Sequence, residues 1–197
     1  FINCRSRITL KKIETTLQDA YILEPVVFGD NRGFFMETYN KEVFKSLGIN
    51  IDFVQDNHSL SETQGTLRGL HYQLEPKAQT KLVRCTRGAI IDVIVDVRKG
   101  SPTFGKWEAF ELTAENKKQL LVPKGFLHGF YTLKENSEVQ YKVDEYYDAS
   151  CDRSVKWNDE TLAIDWQLTA QPTLSAKDAN AISFEHMDNN FVYGETK

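Results

Sequence analysis

The chain has 197 residues, 41% of them apolar and 26% charged, with a net charge of −4. That balance excludes a disordered polar chain, and the length fits a single domain over 1–197. No apolar run approaches the ~20 residues of a membrane-spanning helix, and no basic footprint for nucleic acid is present.

Taken in order, the chain reads as short strands divided by turn residues. Residues 1–12 give no pattern and read as a flexible start. Strands are predicted over 21–28 and 34–39, with the turn Gly29-Asp30-Asn31 between them. Asn40 is placed to cap a short helix over 41–47, and Gly48 to follow its end. Strands follow over 53–59, 66–73 and 80–86. Over 90–97, Ile91, Val93, Val95 and Val97 share one face and Asp92 and Asp96 the other, which predicts a half-buried strand. Beyond Gly100-Ser101-Pro102, strands are predicted over 107–112 and 119–122. Beyond Pro123-Lys124-Gly125, another runs over 129–133. Val139, Tyr141 and Val143 also share a face, so Tyr141 points where the valines point. Ser175 is placed to cap a short helix over 175–180, and 181–197 reads as a tail. About ten strands and a few short helices predict an all-β fold that closes as a barrel-like double sheet.

Three cysteines, Cys4, Cys85 and Cys151, form no C-x-x-C pair. With no signal pattern at the start of the chain, they predict free thiols in a reducing, cytoplasmic setting. Among the four histidines, His71 lies in Leu67-Arg68-Gly69-Leu70-His71-Tyr72-Gln73. On an ideal pleat it faces with Leu67, Gly69 and Gln73 and away from Arg68. A hydrogen-bonded core histidine and a functional one both fit that position. His128 lies in Pro123-Lys124-Gly125-Phe126-Leu127-His128-Gly129-Phe130. Its Pro-x-Gly-x-x-His spacing resembles the second motif of cupins, which are double-stranded β-helix barrels. In metal-binding cupins this histidine is a ligand and the first motif supplies His-x-His. Here Gln73 stands two residues after His71. The resemblance therefore implies a cupin barrel without a metal.

A wider set of stretches occurs in a fixed order: Phe28-Gly29-Asp30-Asn31-Arg32-Gly33-Phe34-Phe35, Phe53-Val54-Gln55-Asp56-Asn57-His58-Ser59, the His71 segment, Lys81-Leu82-Val83-Arg84, Asp92-Val93 with Asp96, Ser101-Pro102-Thr103-Phe104-Gly105, the His128 segment, Tyr141-Lys142 with Tyr146-Tyr147, and Leu174-Ser175-Ala176-Lys177-Asp178. With them the chain resembles the dTDP-4-dehydrorhamnose 3,5-epimerases over roughly four-fifths of its length. Asp165-Trp166-Gln167 departs from the family, which commonly has proline after the tryptophan.

The resemblance implies an isomerase acting on a dTDP-linked 4-keto-6-deoxy sugar with no cofactor. It implies that His71 is the general base, paired with Asp178, and that Lys81 stabilises charge on the keto oxygen. Tyr141 is then the acid on the opposite face. Arg32 and Arg68 are implied at the diphosphate, Glu37, Gln55 and Asn57 at polar contacts to the nucleotide-sugar, Tyr147 near the base, and His128 as a second pocket histidine. It also implies a homodimer in which N-terminal segments reach the neighbour's site. Independently, Lys81 alternates in phase with Val83 and Cys85, an apolar face that is unusual for a solvated charge. A single-site epimerase, a non-catalytic nucleotide-sugar-binding cupin and a metal-dependent cupin oxygenase remain as alternatives.

Overall fold

The structure, a computed structural model, describes residues 9–195. Thirteen strands make up most of its regular secondary structure. They are β1 (Leu10–Glu14), β2 (Tyr21–Pro25), β3 (Val27–Asp30), β4 (Gly33–Met36), β5 (Gln55–Ser61), β6 (Leu67–Gln73) and β7 (Lys81–Arg87). After them come β8 (Ala89–Asp96), β9 (Trp107–Thr113), β10 (Gln119–Val122), β11 (Phe126–Thr132), β12 (Ser137–Val143) and β13 (Asp152–Ser154). Two short helices interrupt them, α1 (Lys41–Ser46) and α2 (Ala176–Ala179). Asn40 and Ser175 cap these helices as predicted, Asn40 accepting the Glu42 and Val43 N–H groups and Ser175 the Asp178 N–H through their side chains.

The strands form a six-stranded sheet, β1-β2-β10-β7-β12-β5, and a five-stranded sheet, β13-β6-β11-β8-β9. The β3–β4 hairpin forms a third sheet by itself. Crossovers between the two large sheets give the double-stranded barrel that the cupin resemblance implies. Val83, Ile90, Ile94, Leu120, Phe130 and Val139 fill the space between the sheets. α1 covers the outer face of the six-stranded sheet by packing Phe44 against Leu82 and Leu121. Among the described residues, no helix is long and apolar enough to cross a membrane.

Two sequence expectations are corrected here. β8 is buried along its whole length. Its Ile91, Val93 and Val95 pack outside the barrel against Trp166 and Phe191, while Ile90 and Ile94 pack inside. The aspartates on this strand therefore face a core, not water. Asp96 binds the buried Arg98, which also reaches Asp19 and lies 4.8 and 4.9 Å from the Phe126 and Tyr193 rings. The chain ends are also more structured than their composition suggests. Residues 10–12 belong to β1. In the 181–195 stretch, Phe191 enters the core, and the Asp188 and Asn189 carbonyls accept bonds from Tyr72 and Lys99. Cys4 lies outside the described residues, while Cys85 and Cys151 are free thiols.

Candidate active site

The site begins at an irregularity between β6 and β11. His71 stands opposite His128, and Arg68 opposite Phe130, so three steps on β6 match two on β11. The extra residue is a β-bulge. Glycine makes it possible. A Cβ on Gly69, whose φ is +125°, would meet Gly129 Cα at 2.6 Å, and one on Gly129 would meet the Arg68 carbonyl oxygen at 2.8 Å. The bulge inverts the pleat partway along the strand. Leu67 and Leu70 both turn into the outer core, while Arg68 and His71 both turn into a cavity. His71 therefore shares a side with Arg68, contrary to the ideal-pleat reading.

That cavity holds about 440 Å³ and is lined by His71, Lys81, Arg68, His128, Tyr141 and Asp178 among others. His71 Nε2 lies 2.6 Å from Asp178 Oδ1. The carboxylate is 3% exposed and the imidazole 33%. Ser175 fixes the turn by accepting the Asp178 N–H, and Asp178 Oδ2 takes the Gly69 N–H at 3.4 Å. Burial pushes the Asp178 carboxyl up, but the bond and charge of His71 and the Ser175 hydroxyl outweigh it, so the net shift is downward. With Nε2 committed to Asp178, Nδ1 is the ring nitrogen left for chemistry.

Lys81 enters from β7. Burial lowers its ammonium to about 8, opposed by the charges of Asp92 and Asp152 and reinforced by Lys177. Its Nζ lies 5.8 Å from the centre of the Tyr141 ring. Burial pushes the Tyr141 hydroxyl up, the Arg68 charge pulls it down and Asp152 adds to the rise, for a net increase. The phenol thus stays protonated at neutral pH. The Arg68 fork is held at the cavity by donating to Ser61 Oγ at 3.2 Å and to the Leu60 carbonyl at 3.0 Å. His128 is bound to Asp92 Oδ2 at 2.9 Å, and both are buried. Gln73, at the position where a metal-binding cupin has histidine, is engaged with loop backbone. Its amide donates to the Lys77 and Tyr146 carbonyls and accepts the Asp148 N–H. The cavity therefore combines a base with a free ring nitrogen, a protonated phenol and an enclosed ammonium. This set suits removal of a carbon-bound proton, its return from another direction, and stabilisation of the negative charge formed between those steps.

Comparison with known proteins agrees with this chemistry. The profile of the dTDP-4-dehydrorhamnose 3,5-epimerase family matches residues 14–186. The chain belongs to that family. The dTDP-4-dehydrorhamnose 3,5-epimerase of Shigella flexneri is 52% identical over 177 residues, covering 89% of this chain and 97% of the relative. The crystal structure of the Bacillus anthracis epimerase, with TDP and PPi bound, matches with a TM-score of 0.86 at 57% identity, over 88% of this chain and 99% of that one. The Legionella pneumophila epimerase, in complex with dTDP-4-keto-L-rhamnose, matches with a TM-score of 0.87 at 45% identity, over 91% and 95%. These relatives are isomerases of the cupin type, and so is this member of the family.

The remaining residues that the family resemblance pointed to are not gathered at the cavity. Arg32 lies at the tip of the β3–β4 hairpin, 85% exposed and paired with Asp30 at 2.5 Å. Glu37 accepts bonds from Thr9 and Asn40. Gln55 donates to Asn57 on β5, and Asn57 stands opposite Tyr141 in the strand register. Tyr147 is 60% exposed. Sequence reasoning did not select Asp92, Lys177 or Ser61. The signal for Asp92 was present as a charge inside a β-branched strand. Lys177 stood within a stretch that matched the family but had no role attached to it, and Ser61 carried no signal.

Proposed function

We propose that this chain inverts C3 and C5 of a dTDP-linked 4-keto-6-deoxy-D-glucose, giving the 4-keto-L-rhamnose product, by proton abstraction and return through an enolate. The C4 ketone acidifies the protons on both neighbouring carbons. His71 removes each proton through Nδ1, while Asp178 holds the ring and stabilises the imidazolium. Lys81 neutralises the charge that develops on O4. Tyr141 returns a proton from the opposite face. Arg68 grips the diphosphate with its planar fork, and His128 closes the wall beside His71. The observation that carries this reading is the 2.6 Å His71–Asp178 pair facing the same cavity as Lys81 and Tyr141.

The remaining binding residues act across a homodimer. Phe34 and Phe35 of the β3–β4 hairpin are 60% and 71% exposed, an apolar surface next to the Arg32 guanidinium. A second copy that covers this surface brings Arg32 and Glu37 to the neighbour's nucleotide, where Gln55, Asn57 and Tyr147 complete the contacts. Incubation with dTDP-4-keto-6-deoxyglucose in deuterated water tests the reaction. Deuterium at both C3 and C5, with the L-rhamno product formed, upholds it. Label at one carbon means a single-site epimerase, and no label overturns the reading.

A further inference from the structure

Gln73 takes no part in the reaction above. It closes β6, two residues beyond His71, and is 5% exposed. Its amide NH₂ donates to the Lys77 carbonyl at 2.6 Å and to the Tyr146 carbonyl at 3.2 Å, and its Oε1 accepts the Asp148 N–H at 2.8 Å. The last two bonds clasp the backbone immediately before and immediately after Tyr147. A buried amide side chain thereby pairs with one C=O and one N–H of the loop, as a neighbouring strand does in a sheet.

Tyr147 needs such a clasp. It lies beyond the end of β12 and before β13, in a segment with no strand or helix of its own. Its ring and that of Tyr146 are 60% and 58% exposed, so burial fixes neither. Other ties hold the segment further out. Before Tyr146, the Thr80 N–H reaches Asp144, the Gln79 amide reaches the Glu145 carbonyl, and Lys77 pairs with Glu145. After Asp148, the Leu74 N–H reaches the Cys151 carbonyl. A flat ring receives a nucleobase with full affinity only where its backbone is already placed, because ordering a loop during binding subtracts from the affinity. Gln73 is buried at the end of the strand that carries His71, so its clasp refers the loop to the reacting centre. We propose that Gln73 is a positioning residue for the nucleotide: its amide holds the backbone on both sides of Tyr147 and sets that ring against the thymine. This rests on Tyr147 lying at the nucleobase.

Calorimetry with dTDP and with inorganic pyrophosphate separates the two halves of the ligand. Gln73→Met keeps the length of the side chain and removes its donors and its acceptor. Tyr147→Ala should weaken dTDP by about tenfold, the scale of one lost stacking contact, and Gln73→Met by at least about threefold. Pyrophosphate affinity should stay within about twofold in both variants, since neither side chain is placed at the diphosphate. In the Tyr147→Ala background Gln73→Met should add less than about twofold, because its effect passes through the ring. KM of Gln73→Met should rise while kcat holds. Unchanged dTDP affinity in folded Gln73→Met overturns the proposal. So does equal weakening of pyrophosphate, losses that multiply in the double variant, or a fall in kcat at normal KM. Amide exchange in the unaltered protein needs no variant to fold. The Asp148 N–H should exchange at least about tenfold more slowly than in a free peptide, and an unprotected Asp148 amide also overturns the proposal. If Tyr147→Ala binds dTDP normally, the placement of Tyr147 fails and the proposal with it, while deuterium entry at C3 and C5 decides the epimerase reading separately.

Discussion

Replacing Asp178 with asparagine keeps the shape of a side chain that is 3% exposed and removes one charge. The carboxylate faces two donors, His71 Nε2–H at 2.6 Å and the Gly69 N–H at 3.4 Å. An amide cannot accept at both ends. With its NH₂ towards Gly69, two N–H groups oppose each other. Turned over, the NH₂ donates to Nε2 and the ring proton moves to Nδ1, the nitrogen required as base. The second arrangement satisfies both contacts, so it prevails. A charge-assisted hydrogen bond contributes about 1.5–3 kcal/mol. Its loss alone corresponds to a ~10–150-fold fall in rate, and the wrong tautomer adds to that. We expect kcat to fall by about a hundredfold or more, with KM little changed, because the carboxylate touches the imidazole and not the sugar. The loss should stay below that of His71→Ala, in which the ring is absent. Initial rates of epimer formation for the three proteins, with thermal unfolding to establish that each is folded, provide the measurement. A folded Asp178→Asn protein with kcat within about threefold of the unaltered enzyme would refute the reasoning. A loss larger than that of His71→Ala would mean that the carboxylate reacts with the substrate directly.

Tyr141→Phe keeps the ring and removes the donor, so solvent deuterium should still enter the substrate while little epimer accumulates. Equal loss of exchange and epimerisation would instead assign Tyr141 to enolate formation or binding. Arg68→Lys replaces a fork with a point charge and should weaken substrate and free dTDP alike, as read by calorimetry. An unchanged dTDP affinity removes Arg68 from the diphosphate site. Gly129→Ala forces a Cβ to within 2.8 Å of the Arg68 carbonyl and 3.2 Å of Gly69 Cα and Trp166 Cη2. Two of those neighbours are backbone and cannot rotate away. Overpacking of this kind costs about 1–3 kcal/mol, or several degrees of Tm for a chain of this size. It should also depress kcat by separating Arg68 from His71, and calorimetric melting at wild-type Tm would show that β6 and β11 yield freely.

Strand positions were legible wherever one face was apolar. Lys81 and Tyr141 were turned inward by the phase of Val83 and Val139, and both line the cavity. Two kinds of information were not carried by that pattern. The bulge at Gly69 shifts the phase by one residue, and periodicity assigns sides only while the pleat is unbroken. The burial of Asp92 depends on what packs over β8 from both sides, including Trp166 and Phe191 from far along the chain. Alternation reports that a strand has two faces but not that both are covered. Nothing in the pattern around Asp178 marks it as buried, for the same reason: the short α2 presents it to a strand more than a hundred positions earlier. Leu10–Glu14 was missed because Lys11 and Lys12 mask an edge strand that buries only Leu10 fully.

The His71–Asp178 contact spans 107 positions, and the carboxylate arrives on α2, which follows all thirteen strands. Contacts of that separation form late, because a long loop must close before they give anything in return. A chain emerging from the ribosome can pair β6 with β11 and β7 with β12 while the imidazole still lacks its acidic neighbour. Until α2 docks, the imidazole has neither a fixed tautomer nor a neighbour to stabilise its cation. Competence to strip protons from carbon therefore waits on the docking of α2, after the strands that carry the imidazole have paired.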